Sequence, residues 1–293
     1  MRPKQKRRGR ALAFGLACLL AAGARLCAGA AKTQHFAIEV NGIVCGYLEV
    51  RETPLRQDGA DVIAQESEIV LMLSVLGSRF NGTIREKALI DAASRRQLRS
   101  AIRIDQNGVQ YDFSFRATAT EAVMRSSLRG GKEKTVPLAP GVLVGNDELF
   151  RRLRREFAAA GAAEVRCDIL EFMEEEVQPS SFRRIGAETL HLAGNDHACL
   201  VIEQVNARTG LKSTYWIDPG CDFFVQFEVS GRKVYLSDRG VVDRLKVANI
   251  NPAFFTKTNA AIIDPAAITY MRLKLKAEPT GALLSPADLN VPG

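Results

Sequence analysis

The turns constrain this chain more than any other feature. Asn41-Gly42, Gln106-Asn107-Gly108, Arg129-Gly130-Gly131 and Ser230-Gly231 each separate two runs that read as strands. Asn-Gly between such runs is the strongest short hairpin signal. A turn of two to four residues cannot connect parallel strands, which need a crossover of a dozen or more. The chain is therefore predicted to fold as an antiparallel meander.

Before the middle of the chain, strands are predicted at residues 36–40, 43–50, 62–76, 79–91, 97–105, 109–116, 122–128 and 132–136. They resume at 165–172, 182–191, 198–206, 212–218, 223–229 and 233–237. Between the two series lies one convincing helix, residues 146–160. Asn146 can cap it, with Asp147 and Glu148 in the first turn where negative charge suits the dipole. Leu149, Leu153 and Phe157 recur every four residues, and Arg151, Arg152, Arg154 and Arg155 form the opposite, solvated face. Gly161 is placed to end it. A sheet this long must twist and curl. The expected fold class is mainly β: a strongly curved antiparallel sheet, or half-barrel, wrapped on one main α-helix. The curved domain is expected over residues 31–240. An extension over 241–276 should end in an edge strand at 268–276, and 277–293 reads as a short tail or linker poor in helix and strand.

Residues 1–30 read as a cleavable export signal. Arg2, Lys4, Lys6, Arg7, Arg8 and Arg10 form a basic head, residues 11–24 are apolar, and Ala28-Gly29-Ala30 is a small-x-small cleavage site. The apolar run is shorter than the roughly 20 residues a membrane-spanning helix needs. The mature protein is thus expected to be periplasmic or extracellular, with no stable membrane span. Seven of the chain's 40 basic residues lie in this segment with none of its 33 acidic ones, so the remainder balances 33 against 33. A nucleic-acid or anionic-membrane function would need a basic surface on the mature part, so nucleic acid is not expected as a partner.

Four cysteines lie beyond the signal: Cys45, Cys167, Cys199 and Cys221. An oxidising compartment permits disulfides, and four cysteines allow three pairings. Cys199 with Cys221 is the first candidate, since they flank one predicted hairpin. Burial as small apolar side chains is the alternative.

Catalytic motifs are sparse. The chain has no phosphate-binding glycine loop, no G-x-S-x-G, no H-E-x-x-H and no C-x-x-C. Its three histidines are His35, His191 and His197. His191, His197 and Cys199 are close in sequence, but zinc needs three or four converging ligands. They read as polar residues near a loop, so no metal or cofactor is expected. One pattern suggests acyl transfer. His197-Ala198-Cys199 begins a strand and Tyr215-Trp216-Ile217-Asp218-Pro219-Gly220 ends the next, a similar arrangement to transglutaminase-like cysteine enzymes. The nucleophile would have to be Cys167 or Cys45, Cys167 being the one taken with His197 as its base and Asp218 as the orienting group. Against this, Cys167 falls in a predicted strand beside Asp168, which would raise its pKa.

Two wider resemblances rest on named residues. Glu39-Val40-Asn41-Gly42-Ile43 with Gly46-Tyr47, then Tyr215-Trp216-Ile217-Asp218 and residues 223–228, follow the order hairpin, meander, helix, second meander. Over roughly residues 34–238 this is similar to curved-sheet periplasmic domains related to the lipoprotein carriers of the outer-membrane sorting pathway. Thr258-Asn259, Ile262-Ile263-Asp264-Pro265, Ile268 and Met271-Arg272-Leu273 resemble the segment before the catalytic core of exported bacterial transglutaminase-like proteins. That second resemblance implies a non-catalytic N-terminal region and carries no catalytic residue over.

The expected function is therefore an exported, non-enzymatic binding or interaction domain, holding a hydrophobic ligand or a protein segment. The alternatives are a cysteine-dependent acyl transferase of transglutaminase type and a periplasmic lipid or lipoprotein carrier. An apolar ligand would lie on the concave face of the sheet, which is also where the helix packs.

Overall fold

The computed structural model describes residues 31–75, 78–206, 210–221 and 224–250. The expected export signal, the resemblance at residues 251–276 with its edge strand, and the tail lie outside them. Two meanders make the sheet. The first holds β1 (Lys32–Val40), β2 (Ile43–Gln57), β3 (Ala60–Val75), β4 (Ser78–Asp91), β5 (Gln97–Gln106), β6 (Val109–Ala117), β7 (Glu121–Ser126) and β8 (Glu133–Pro137). The second holds β9 (Glu164–Glu171), β10 (Glu176–Leu192), β11 (Asn195–Asn206), β12 (Lys212–Ile217), β13 (Phe224–Val229) and β14 (Arg232–Ser237). Each strand pairs antiparallel with its sequence neighbour, and β1 pairs with β14, which joins the meanders at the middle of one sheet. The mainly β, antiparallel expectation holds. A short β15 (Ala248–Ile250), which the alternation of side chains did not reveal, adds in parallel beside β3.

The hairpins form where the turn residues accept positive φ. Asn41 and Gly42 sit at φ 53 and 77, and Asn107 and Gly108 at 51 and 81, as a type I′ turn requires. Asp58-Gly59 (53 and 83) and Ala193-Gly194 (48 and 77) are two further turns of the same kind.

The sheet is not closed. Its end strands, β8 and β9, meet through the irregular segment 138–145. Leu143 exchanges backbone hydrogen bonds with Asp168 and Leu170 around β9, and Val144 O accepts from Gln97 N of β5. Side chains pack this seam: Phe115, Met124, Val136, Leu138, Val144 and Leu170 form one buried cluster, and the Phe115 and Phe172 rings stack at 4.2 Å.

The helix α1 (Asn146–Arg154) continues as a π-helical turn over Arg155–Ala159, and Gly161 at φ 67 follows in the left-handed conformation that ends helices readily. Asn146 is the first helical residue rather than the cap; the cap is Gly145 at φ 91, where a Cβ would stand 2.7 Å from Gln97 Oε1. The end is served instead by Glu148, whose carboxylate accepts from Val144 N at 2.8 Å. Leu149, Phe150, Leu153 and Phe157 are buried among Phe36, Ile69, Phe182, Ile202, Tyr215 and Phe224. Each contributes roughly 2 kcal/mol by leaving water. The arginine face is less solvated than its charge suggests. Arg151 donates to Ala93 O, Arg152 to Arg166 O, and Arg154 to Cys221 O, so the side chains stitch loops to the helix.

Candidate functional site

The sheet places Cys167, His197 and Asp218 in two separate regions. Cys167 faces Ser180 of β10, whereas His197 faces Leu190 of the same strand. Ten residues along a strand is on the order of 30 Å, far beyond hydrogen-bond reach. Burial, opposed by Arg152 and helped by Asp168, pushes the Cys167 thiol up to about 11, whereas a nucleophile needs a depressed value. Cys167 is therefore not the partner of His197.

His197 and Asp218 do meet. His197 Nδ1 lies 2.9 Å from Asp218 Oδ2. The thiol of Cys221 points at the same oxygen, at 3.6 Å. A turn makes this possible: Cys221 N donates to Asp218 O, and Gly220 N donates to Asp218 Oδ1 at 2.8 Å. Burial alone would raise the Asp218 carboxyl, but the hydrogen bonds from His197 and Gly220 outweigh it and hold it below its usual value. Cys199 shares the buried face of β11 with His197, and burial together with Asp218 and Cys221 pushes its thiol up to about 12. All four described cysteines are thiols, so the expected Cys199–Cys221 disulfide is not formed. His197 Nε2 is buried and has no hydrogen-bond partner among the described residues. In a nucleophile–histidine–aspartate relay the nucleophile and the carboxylate face opposite nitrogens of the ring. Here thiol and carboxylate lie together, and Nε2 is left aside. His191, exposed and hydrogen-bonded to Asp196, is no part of the cluster.

A second region lies inside the sheet, at the start of α1. Inward positions of β2 to β5 that alternation would fill with apolar groups carry Glu52, Gln65, Ser67, Glu86 and Ser100, all buried. Arg95, from the β4–β5 turn, reaches in to donate to Glu52 Oε1 at 2.8 Å and Asp147 Oδ2 at 2.7 Å. Glu86 Oε1 accepts from Gln97 at 2.7 Å and Ser100 at 2.5 Å. Burial pushes Glu86 up to about 7 against these two hydrogen bonds. Asp147 is also raised, by burial and by Glu52 and Glu86, with Arg95 opposing. Glu52 and Asp147 thus share one part-buried guanidinium, with Glu86 near enough to raise Asp147, and one oxygen of each of the three has no hydrogen-bond partner among the described residues. Such a chamber takes up protons as pH falls.

The outer face of the first meander carries a third feature, set by register. One cross-strand row reads Glu66, Lys87, Ala101, Ser114, Arg125, Glu133. Beside it runs Leu89, Arg99, Arg116, Val123, and on the other side Glu68, Arg85, Arg103, Asp112. The small side chains of Ala101 and Ser114 leave a floor shared by two adjoining depressions of about 580 and 640 Å³. Arg85, Lys87 and Arg103 are each paired with a carboxylate: Glu68, Glu66 and Asp112. Arg99, Arg116 and Arg125, all exposed, form no ion pair among the described residues.

An open, curled antiparallel sheet plugged by one helix defines a β-barrel-like domain. The chain is similar to the crystal structure of a β-barrel-like protein of the domain of unknown function DUF1849 from Brucella abortus. The TM-score is 0.50 at 7% sequence identity, covering 70% of this chain and 95% of that one. The likeness concerns the fold. No protein-family model matches the chain, and no curated protein matches it. None of these comparisons bears out the resemblance to transglutaminase-like proteins.

Among the residues that sequence reading missed, Cys221 was legible as a neighbour of Asp218 but not as a ligand-like partner. The arginine floor and the buried chamber needed the register, which sets residues from four or five strands side by side.

Proposed function

We propose that the chain is an exported, non-enzymatic binding domain that holds a phosphate-bearing headgroup on the outer face of its first meander. The carrying observation is that Arg99, Arg116 and Arg125 ring a floor of two small side chains and form no ion pair among the described residues, while Arg85, Lys87 and Arg103 beside them have carboxylate partners. Guanidinium forks suit phosphate oxygens, and three together raise the local anion concentration. Depressions of about 580 and 640 Å³ fit one headgroup rather than a polymer track. Carriage of an acyl chain on the concave face is less favoured, because Leu149, Leu153 and Phe157 occupy that face and would have to be displaced.

The test compares the wild-type chain with an Arg99→Gln, Arg116→Gln, Arg125→Gln triple variant. Binding is measured to phosphatidylglycerol vesicles, to phosphatidylcholine vesicles and to inorganic phosphate. The expected result is salt-sensitive binding to phosphatidylglycerol, with or without binding of free phosphate, reduced at least tenfold in the variant. Equal binding by both proteins, or none by either, rejects the reading.

A further inference from the structure

We infer that His197, Asp218 and Cys221 form a binding site for one divalent metal ion of the zinc type. One ligand atom from each residue lies within 4.8 Å of the other two. The set mixes imidazole nitrogen, carboxylate oxygen and thiol sulfur, the three donor types that borderline-soft Zn²⁺ takes. Tetrahedral coordination at about 2.0–2.3 Å sets donors roughly 3.3–3.8 Å apart. The Oδ2···Sγ separation of 3.6 Å already has that value, and the Nδ1···Oδ2 separation of 2.9 Å needs only a small opening.

The support of the site is rigid. His197 stands on β11 and Asp218 follows directly on β12, the strand paired to it. The turn that brings Cys221 back is pinned by two hydrogen bonds to Asp218, and Arg154 of α1 donates to the Cys221 carbonyl. Cys199 lies two residues from His197 on the same buried face of β11. The fourth position is left to a water molecule, as in open zinc sites. A coordinating thiol must lose its proton, so metal affinity at this cluster rises with pH. On binding, the Cys221 thiol gives its proton to solvent and the imidazole stays neutral, its proton on Nε2. The misaligned relay is then explained as well: the groups are arranged to converge on a point rather than to pass a proton in line.

The experiment uses the full chain, reduced and metal-stripped, titrated with Co²⁺. The expected result is one equivalent bound, with a thiolate-to-cobalt charge-transfer band, and displacement by Zn²⁺. Cys221→Ser should abolish that band, and Asp218→Asn, close to isosteric, should weaken Zn²⁺ binding at least tenfold. Cys167→Ser, remote on β9, should change neither. As a second readout, Zn²⁺ should raise the melting temperature of the wild type and of Cys167→Ser but not of Asp218→Asn. The inference fails if the reduced wild type gives no charge-transfer band. It fails equally if the band survives Cys221→Ser. A Cys199–Cys221 disulfide that persists in the presence of reductant and excess Zn²⁺ also overturns it.

Discussion

Arg95 donates to Asp147 at 2.7 Å inside the sheet, where the aspartate side chain is only 2% exposed. The same guanidinium reaches Glu52, 43 residues away in sequence. Removing one member of such a group strands the others in a dry interior. Arg95→Met should cost about 3–5 kcal/mol, read as a drop in the urea midpoint. Arg103→Met, which breaks an exposed pair with Asp112, should cost less than about 1 kcal/mol. Equal losses in the two variants would contradict the burial argument.

The chamber makes stability depend on pH. Glu86 titrates near 7 in the folded chain against 4.5 for an ordinary glutamate. The folded state therefore holds the proton more tightly than the unfolded one. The resulting stabilisation is complete below about pH 4.5 and is lost as pH rises through about 7. Unfolding free energy should fall between pH 5 and pH 8 by up to about 3 kcal/mol, and Glu86→Gln should flatten that slope. Urea titrations at four pH values decide it. A wild type that gains stability over this interval would have the opposite sign.

Leu153 is fully buried at the centre of the helix–sheet contact. Leu153→Ala should destabilise by about 2–5 kcal/mol, seen in chemical denaturation with far-UV circular dichroism. A loss under 1 kcal/mol would mean that α1 is not the plug of the sheet.

Gly46 of β2 has no room for a side chain. A Cβ there would stand 2.2 Å from Val70 O on the neighbouring strand, and a backbone oxygen cannot swing away. Gly46→Ala should cost about 2 kcal/mol or more, with a lower thermal midpoint as the readout. An unchanged midpoint would show that β2 and β3 part easily.

Most of the strands were legible because turn chemistry and alternation agree, as at Asn41-Gly42. The hairpin at Asp58-Gly59 carries the same signal, yet the reading stopped β2 at Val50. The reason is physical. The inward positions leading to this hairpin hold Glu52 and Gln65 instead of apolar groups, and β2 beyond Glu52 is largely exposed, so no apolar alternation marks the strands there. The chamber hid the strands that build it. Arg95 was invisible for another reason: its partners Glu52 and Asp147 lie 43 and 52 residues away. His197 and Asp218 were found together because one hairpin connects them. Cys167 was already the weak member in the sequence, a strand residue beside Asp168, and the register adds that its partner on β10 lies ten residues from that of His197. β15, three residues long, is too short for any period to show.

The pairing of β1 with β14 has a kinetic meaning. His35 meets Ser237 across about 200 residues of chain, whereas every other antiparallel strand pair in the sheet is local. Each half can zip up by itself, but the row between them closes only when the far end of the chain has been delivered. Until then β1 and β14 present bare backbone donors and acceptors to any passing strand. A newly made molecule is thus most vulnerable to mispairing with its own kind at the line where the mature one is best protected.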